Sequence, residues 1–315
     1  MKIWPDIGRL HMLVEFERLG SLAAVAESLS YSSSAVSQQM TTLQKEVGAE
    51  LVRKRGKALE LTDQGRLMAQ IAKHVLLELE TARTAIAASS ETIHGQLRVA
   101  CLQTVTQVLL PETIVDLRKR FPDFSIELVQ GESLESLESL VGGAVSVAIA
   151  ERFDTFTDRV RTDLTSVELF TEPMSLITRV GALPLHAADA TDEQSWREAL
   201  SAADWVFEPL SSPSGQWALE WCRRQGFEPR VRYESGDLLS HLRLIERGLA
   251  FGFIPHIIAA TLPRGIAMHP LDATQTRTVY LSTWTATADH PGVIELTRGL
   301  ERAYRAHSNP PTNPA

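Results

Sequence analysis

The chain lacks most of what marks a secreted protein, a membrane protein or a common enzyme. Its 315 residues hold two cysteines, Cys101 and Cys222, at no metal-like or redox-like spacing. That argues against a disulfide framework and fits a reducing cytoplasm, with each thiol acting as a small buried apolar group. No apolar run is long enough to cross a bilayer. Asp6, Arg9, Glu15 and Glu17 interrupt the N-terminal stretch where a signal peptide would need an apolar core. A cytoplasmic protein is expected. There is no G-x-S-x-G elbow, no glycine-rich phosphate loop with lysine and no H-E-x-x-H pair. The nine histidines are scattered without metal-ligand spacing, and His256 after Pro255 reads as a loop or core residue. No enzyme activity, cofactor or metal is expected, although a Ser-His-Asp triad obeys no fixed spacing.

Positive charge is also in deficit. The net charge of −8 argues superficially against a nucleic-acid partner. Its distribution is uneven: residues 1–62 carry eight Lys/Arg against seven Asp/Glu, and the remainder 23 against 32. An acidic body suppresses nonspecific adhesion to DNA while a local basic stretch can still make contact. The length suits two or three domains, with apolar content ordinary for a large core.

Gly20 to Val47 organises the rest. Ile7, Leu10, Leu13 and Val14 form a first helix, with Trp4 and Phe16 as packing groups and Gly20 as its left-handed end. Ser21 is a good N-cap for a second helix, in which Leu22, Val25, Ala26 and Leu29 repeat at helical spacing. Ser30-Tyr31-Ser32 breaks the pattern, because serines favour turns and caps. Ser32 caps a third helix with one apolar stripe, Val36, Met40, Leu43 and Val47. Ser34, Ser37, Gln38 and Thr41 fall on another face, with no carboxylate until Glu46. Hydroxyls and amides can donate to phosphates and reach base edges, which makes this a helix-turn-helix pattern. Alone, the stretch fits an ordinary helical hairpin equally well. Downstream, Arg53, Lys54, Arg55 and Lys57 surround Gly56 in a basic loop, followed by a short strand Ala58–Thr62. A basic loop directly after a helix-turn-helix reads as a phosphate clamp in a winged turn.

Residues 6–88 resemble the N-terminal region of the LysR-type transcriptional regulators. The matching pieces are Gly20-Ser21, Ser32 with Ala35-Val36-Ser37, Gln39, Leu43, Gly48, Leu51, and Leu61-Thr62 followed by Gly65. Ser33 and Ser34 stand where the family often has Gln-Pro, Gln38 where it often has Arg, and Val52 where it often has Phe. Ser33, Ser34 and Gln38 occupy positions that contact DNA in the family, so the relatives' operator sequence does not transfer. Together the pattern and the resemblance nominate Ser32, Ser33, Ser34, Ser37, Gln38, Thr41, Arg53, Lys54, Arg55 and Lys57 for DNA contact.

Thr62 can cap a long helix with Asp63 in its first turn and a stripe of Leu67, Ile71, Val75, Leu79, Ala82 and Ile86. Over residues 63–88 it would be about 39 Å long. The resemblance implies a homodimer through this helix and a homotetramer beyond it; packing on its own body is the alternative. A hinge is expected at Glu91–Gly95.

From Gln96 strands and helices alternate. Strands are expected at Leu97–Leu102, Ser125–Gln130 and Val145–Ala150, with helices Val108–Phe121 and Ser133–Val141 between them. A second set runs Ser166–Phe170, Met174–Val180, a helix near Glu193–Leu200, Trp205–Glu208, a helix Gln216–Gln225, Val231–Tyr233, a helix capped by Asp237, and Leu249–Ile254. Strands near Ala267–Leu271 and Thr278–Trp284 and a helix Gly292–Arg305 return to the first lobe. Alternation at this pitch means parallel βαβ units. The pattern resembles the two-lobed ligand domain of the same family, itself similar to periplasmic solute-binding proteins. The pieces are Thr104, Leu110-Pro111, Phe121-Pro122, Gly131, Glu172-Pro173 and Gly248 before Ala250-Phe251-Gly252; Ser146 replaces a frequent aspartate.

The expected fold class is thus α/β with an N-terminal all-α winged helix-turn-helix head, a long linker helix and a two-lobed Rossmann-like ligand domain. Its domains are a head over 1–62, linker and hinge over 63–94, and an effector domain over 95–307. Lobe I covers about 95–165 and 265–307, lobe II about 166–264, and a disordered tail 308–315. Ligands of open α/β sheets sit beyond the carboxyl ends of strands. That nominates Gln103, Thr104, Glu132, Ser133, Arg152, Phe207, Ser211, Ser212 and Asp237. Thr104 and Ser133 match effector-contacting positions of the family. Free amides and hydroxyls there suit a small anion, with Arg152 adding charge, though each is equally an ordinary helix cap. The leading reading is a ligand-responsive DNA-binding regulator; a solute-binding module and an α/β enzyme are the alternatives.

Overall fold

A computed structural model of the chain describes residues 4–29, 31–56, 58–88, 93–153, 163–183 and 193–308. Residues 91–92 of the expected hinge, Lys57 and residues 309–315 of the expected tail lie outside the described residues. The chain divides into an N-terminal unit over Met1–Glu91, with Val141–Ala144 grouped to it, and a C-terminal unit over Thr92–Leu140 and Val145–Ala315.

Local signals set the N-terminal unit. Helix α1 (Ile7–Leu19) starts at Asp6, whose carboxylate accepts from Arg9 N, and ends at Gly20 with φ +71°. Helix α2 (Leu22–Ser28) is capped by Ser21, and α3 (Ser33–Val47) by Ser32, whose Oγ accepts from Ala35 N. Leu13, Phe16, Val25, Val36, Met40 and Leu43 are buried in one core. Trp4, expected to pack, is 85 % exposed; it lies before the Asp6 cap, outside the helix that would have carried it inward. Strands β1 (Val52–Arg55) and β2 (Ala58–Leu61) pair antiparallel. Arg53, Lys54 and Arg55, expected in a loop, therefore lie on a strand, and the turn is at Gly56 (φ +62°).

Helix α4 (Asp63–Ala88) begins at Thr62, whose Oγ1 accepts from Gly65 N at 2.9 Å and donates to Glu50 O at 2.6 Å. It has two apolar faces. Ala69 and Ala72 are fully buried in the unit's core, and Lys73 pairs with Glu17 of α1 at 2.8 Å. Leu67, Ile71, Val75 and Leu79, four residues apart, remain exposed. Gly65 is where this helix meets the wing: a Cβ there would lie 2.0 Å from Leu51 O. Gly65→Ala is expected to destabilise the unit by about 1–3 kcal/mol or more, read as a lower melting temperature. An unchanged melt would refute that contact.

The C-terminal unit carries a seven-stranded sheet ordered β10 (Ile266–Pro270), β6 (Leu164–Arg179), β11 (Thr276–Trp284), β5 (Val147–Phe153), β3 (Gly95–Cys101) and β4 (Phe124–Gln130), with β9 (Gly252–Pro255) also on β6. Strand β3 (Gly95–Cys101) runs parallel to β4 (Phe124–Gln130) and β5 (Val147–Phe153). Helices α5 (Gln103–Val108) and α6 (Leu110–Arg120) follow β3, and α7 (Ser133–Val141) follows β4. The two strands expected around Glu172-Pro173 are one, β6 (Leu164–Arg179). Its first half pairs with β11 (Thr276–Trp284), its second with β9 (Gly252–Pro255) and β10 (Ile266–Pro270). Strand β10 thus joins the second set of strands, whereas β11 pairs with β5 of the first. Helix α8 (Glu193–Ala202), the parallel pair β7 (Asp204–Phe207) and β8 (Arg230–Glu234), α9 (Pro213–Arg224) and α10 (Leu238–Glu246) complete the second set. Helix α11 (Pro291–Ser308) packs Val293, Leu296 and Leu300 on the first core.

Candidate functional sites

In the N-terminal unit the nominated face of α3 points to solvent. Ser32, Ser33, Ser34, Ser37, Gln38 and Thr41 are all exposed. Two of them are partly committed: Ser32 caps the helix and meets Ser34 Oγ at 3.1 Å, and Thr41 donates to Ser37 O at 2.9 Å. The side chains that stiffen the helix are on its other faces. Gln44 Oε1 accepts from Leu51 N at 2.8 Å and Val52 N at 3.1 Å, tying α3 to the root of β1. Arg9 of α1 bonds Gln39 Oε1 and Glu46 Oε1, each at 2.7 Å. That ion pair neutralises the one carboxylate of α3, so a phosphate would not meet it bare. On β1, Arg55 pairs with Glu60 at 3.4 Å, while Arg53 and Lys54 are exposed. The pairing discounts Arg55 as a clamp; exposed pairs contribute little and break readily.

In the C-terminal unit a cavity of about 30 Å³ opens at the carboxyl ends of β3, β4 and β5, the place expected for an α/β sheet. Leu102, Gln103, Thr104, Glu132 and Glu151 line it from these strands, with Phe153, Met174, Glu208, Gly236, His241, Phe253 and Arg277 among the facing groups. Gln103 joins its two sides: its Nε2 donates to Asp237 Oδ1 at 3.1 Å, and its Oε1 accepts from Leu238 N at 2.9 Å. Asp237 also caps α10 through Leu239 N and Ser240 N. The hydrogen bonds from Ser240 and Gln103 hold the Asp237 carboxyl below its usual range.

Of the nominated residues, Gln103, Thr104 and Glu132 meet in this cavity. Others do not line it. Ser133 is buried and accepts from Glu151 N at 3.1 Å, fastening α7 to β5. Ser212 is the buried cap of α9, Ser211 is exposed, and Phe207 is buried among Trp205 and Phe253. Arg152, expected to add positive charge, does not line the cavity. Glu151 and Phe153 line the cavity, so by strand alternation the residue between them points to the other face. There Arg152 lies 3.6 Å from Glu168, with its guanidinium 5.6 Å from the Tyr280 ring centre.

The arginine that does reach the cavity is Arg277 of β11. Its Nη1 donates to Glu151 at 2.6 Å, its Nη2 to Glu172 at 2.7 Å, and Nη2 also to the Thr104 hydroxyl at 3.0 Å. Glu172 in turn accepts from Ile257 N at 2.6 Å. Nothing local announces this set, because Arg277 lies 105 residues from Glu172, 126 from Glu151 and 173 from Thr104 in the chain. Arg277 is already answered by two carboxylates, so the charge that an anion would need is spent. Glu208, equally missed, is pushed up to about 8 by burial and by the charges of Glu151 and Glu132.

Comparison with known proteins finds a matching family model for each part of the chain. Residues 7–66 match the model of the bacterial regulatory helix-turn-helix protein, lysR family. Residues 90–301 match the model of the LysR substrate binding domain. The chain is 26 % identical over 253 residues to the HTH-type transcriptional activator AaeR of Escherichia coli, covering 78 % of this chain and 76 % of that one. It is 33 % identical over 144 residues to the uncharacterized HTH-type transcriptional regulator YkuM of Bacillus subtilis, spanning 46 % of this chain and about half (49 %) of YkuM. A full-length OxyR variant of Pseudomonas aeruginosa shares the fold with a TM-score of 0.70 at 17 % identity, over 95 % of each chain. So does full-length CbnR in complex with its target DNA, with a TM-score of 0.59 at 19 % identity, over 95 % of this chain and 99 % of CbnR. Among the described residues no helix is long and apolar enough to cross a membrane.

Proposed function

Because the chain belongs to the LysR family of transcriptional regulators, we propose that α3 reads an operator through Ser33, Ser34, Ser37 and Gln38 while Arg53 and Lys54 hold its phosphates. The protein is a DNA-binding regulator with an effector-binding domain, in a family of regulators and not of enzymes. What carries the residue assignment is the exposed, carboxylate-free polar face of α3, whose one acidic group is neutralised by Arg9. Ser32 and Thr41 join it, the first as a cap whose hydroxyl also meets Ser34, the second with its oxygen and methyl. Lys57 belongs to the same basic run in sequence.

The head over 1–62, the linker over 63–94 and the effector domain over 95–307 are the division of labour we propose. Two copies associate through Leu67, Ile71, Val75 and Leu79 of α4, the face that the chain leaves uncovered. Two heads on one helix pair then address two half-sites about one helical turn apart; two such dimers make the tetramer that the resemblance implies. The effector binds in the cavity at Gln103, Thr104 and Glu132 and shifts the protein between arrangements only by its difference in affinity for them. The carboxylates there favour a cation over the small anion suggested by the hydroxyls and amides.

Gel shifts on the chain's own upstream DNA separate readers from clamps. Lys54→Ala should weaken binding to all sequences and reduce the salt slope by about 0.9. Gln38→Ala should cost about 1–3 kcal/mol of base discrimination and leave the slope unchanged. Identical effects of the two changes would contradict the division.

A further inference from the structure

The cavity of the C-terminal unit is lined by three carboxyl groups, those of Glu132, Glu151 and Glu208. Among the described residues that line it, Arg277 is the one permanent cation, and Glu151 and Glu172 already engage it. His241 adds no charge: burial lowers its pKa, and its Nε2 sits 2.7 Å from Ser235 O. That leaves Glu132 and Glu208. The Glu208 carboxylate meets only the Ser212 hydroxyl, at 3.4 Å, and no hydrogen bond is made by the carboxylate of Glu132 among the described residues. Glu132 and Glu208 line one space, and the second oxygen of the Glu208 carboxyl has no hydrogen-bond partner among the described residues, an arrangement that a positively charged donor group would satisfy.

A bare metal ion does not fit. No three His, Cys, Asp or Glu side chains among the described residues lie close enough to hold one. A larger cation can meet two carboxylates at once without a full set of ligands around one ion. Phe153, Phe253 and Met174 offer apolar and aromatic wall for its carbon atoms. The volume of about 30 Å³ admits a water or two, not a drug-sized molecule. Only a small charged head enters before the Gln103 bonds to Asp237 and Leu238 loosen.

We propose that this cavity takes a small organic cation, an alkylammonium or guanidinium head, with Glu132 and Glu208 as its counter-charges. The proposal rests on the reading of the cavity as the effector site and specifies the chemistry of what binds there. It has a proton signature. In the empty cavity Glu208 keeps its proton up to about pH 8, held by burial first and then by Glu151 and Glu132, against the opposing pull of Arg277 and Ser212. A cation favours the ionised form, so binding expels that proton. Below pH 8 the affinity should rise about tenfold per pH unit, and level off above it.

Calorimetry on the full chain with agmatine and putrescine, from pH 6 to 9, reads this directly, with benzoate as the anionic probe. Expected are binding of an amine, release of close to one proton at pH 6 that falls to about half a proton at pH 8, and a loss of at least tenfold in Glu208→Gln and in Glu132→Gln. Glu208→Gln should remain folded, because the native protein already prefers the neutral carboxyl; its melting temperature at pH 9 should exceed that of the parent. Benzoate binding that strengthens in these variants, without amine binding, would overturn the cation and keep the cavity as effector site. Binding of either probe untouched by both variants would place the effector elsewhere and overturn the cavity reading as well. Binding of neither probe would overturn the cation proposal.

Discussion

Replacing both Ile71 and Val75 by glutamate is expected to yield a folded monomer whose operator affinity is lower by about 10²- to 10⁴-fold. Both side chains are exposed on α4, outside the stripe of Ala69 and Ala72 that packs against the head. The substitutions therefore cost the isolated chain little. In the proposed dimer they would set like charges against each other in a seam that would otherwise bury leucine, isoleucine and valine. Each head alone still docks on a half-site, but the second contact is no longer intramolecular, and the avidity is lost. Sedimentation gives the mass and a gel shift the affinity. A variant that stays dimeric, or a monomer that binds as the parent does, would show that α4 is a linker and not the joining element.

The second large effect is on stability. Arg277→Ala is expected to destabilise the C-terminal unit by about 3–5 kcal/mol, measured by urea denaturation. The side chains of Arg277, Glu151 and Glu172 are 4 %, 6 % and 0 % exposed. Attraction between these charges offsets desolvation only while all are present. Removing the arginine strands two carboxylates in a medium that solvates neither. The loss should shrink when Glu151→Gln and Glu172→Gln accompany Arg277→Ala, since nothing charged is then left unpaired. A single variant as stable as the parent would contradict the ion-pair assignment. The same three residues join β5, β6 and β11, so the unit that loses them should also lose the alignment of Thr104, which accepts from Arg277.

The head was legible because its instructions are local. Ser21, Ser32 and Thr62 cap within three residues of themselves, and Gly20 and Gly48 end helices with φ of +71° and +75°. Four- and three-residue spacing in α3 separates Val36, Met40 and Leu43 from Ser37 and Gln38 without reference to anything distant. The second apolar face of α4 was harder to see, since two alanines at 69 and 72 give little signal beside a row of leucine, isoleucine and valine. In the C-terminal unit, element types followed from periodicity but the cavity lining did not. β5 is buried on both faces, so no alternation in the sequence tells that Glu151 faces the cavity and Arg152 does not. Arg277 is invisible for a different reason: its partners come from strands more than a hundred residues away, and sequence spacing carries no trace of them. Glu172-Pro173 read as a break because proline interrupts a ladder. β6 instead runs through it, changing partners from β11 to β9 at that point.

The account turns on α3 lying against the duplex, and tethered cleavage tests that most directly. Both native cysteines are buried, so a single cysteine introduced at Gln38 can carry an iron chelate selectively, with Ser201→Cys, exposed on α8, as the comparison. Cleavage of operator DNA focused on the base pairs of each half-site from position 38, and absent from position 201, is the result expected. Cleavage no stronger from 38 than from 201, on DNA that the labelled protein still binds, would contradict it.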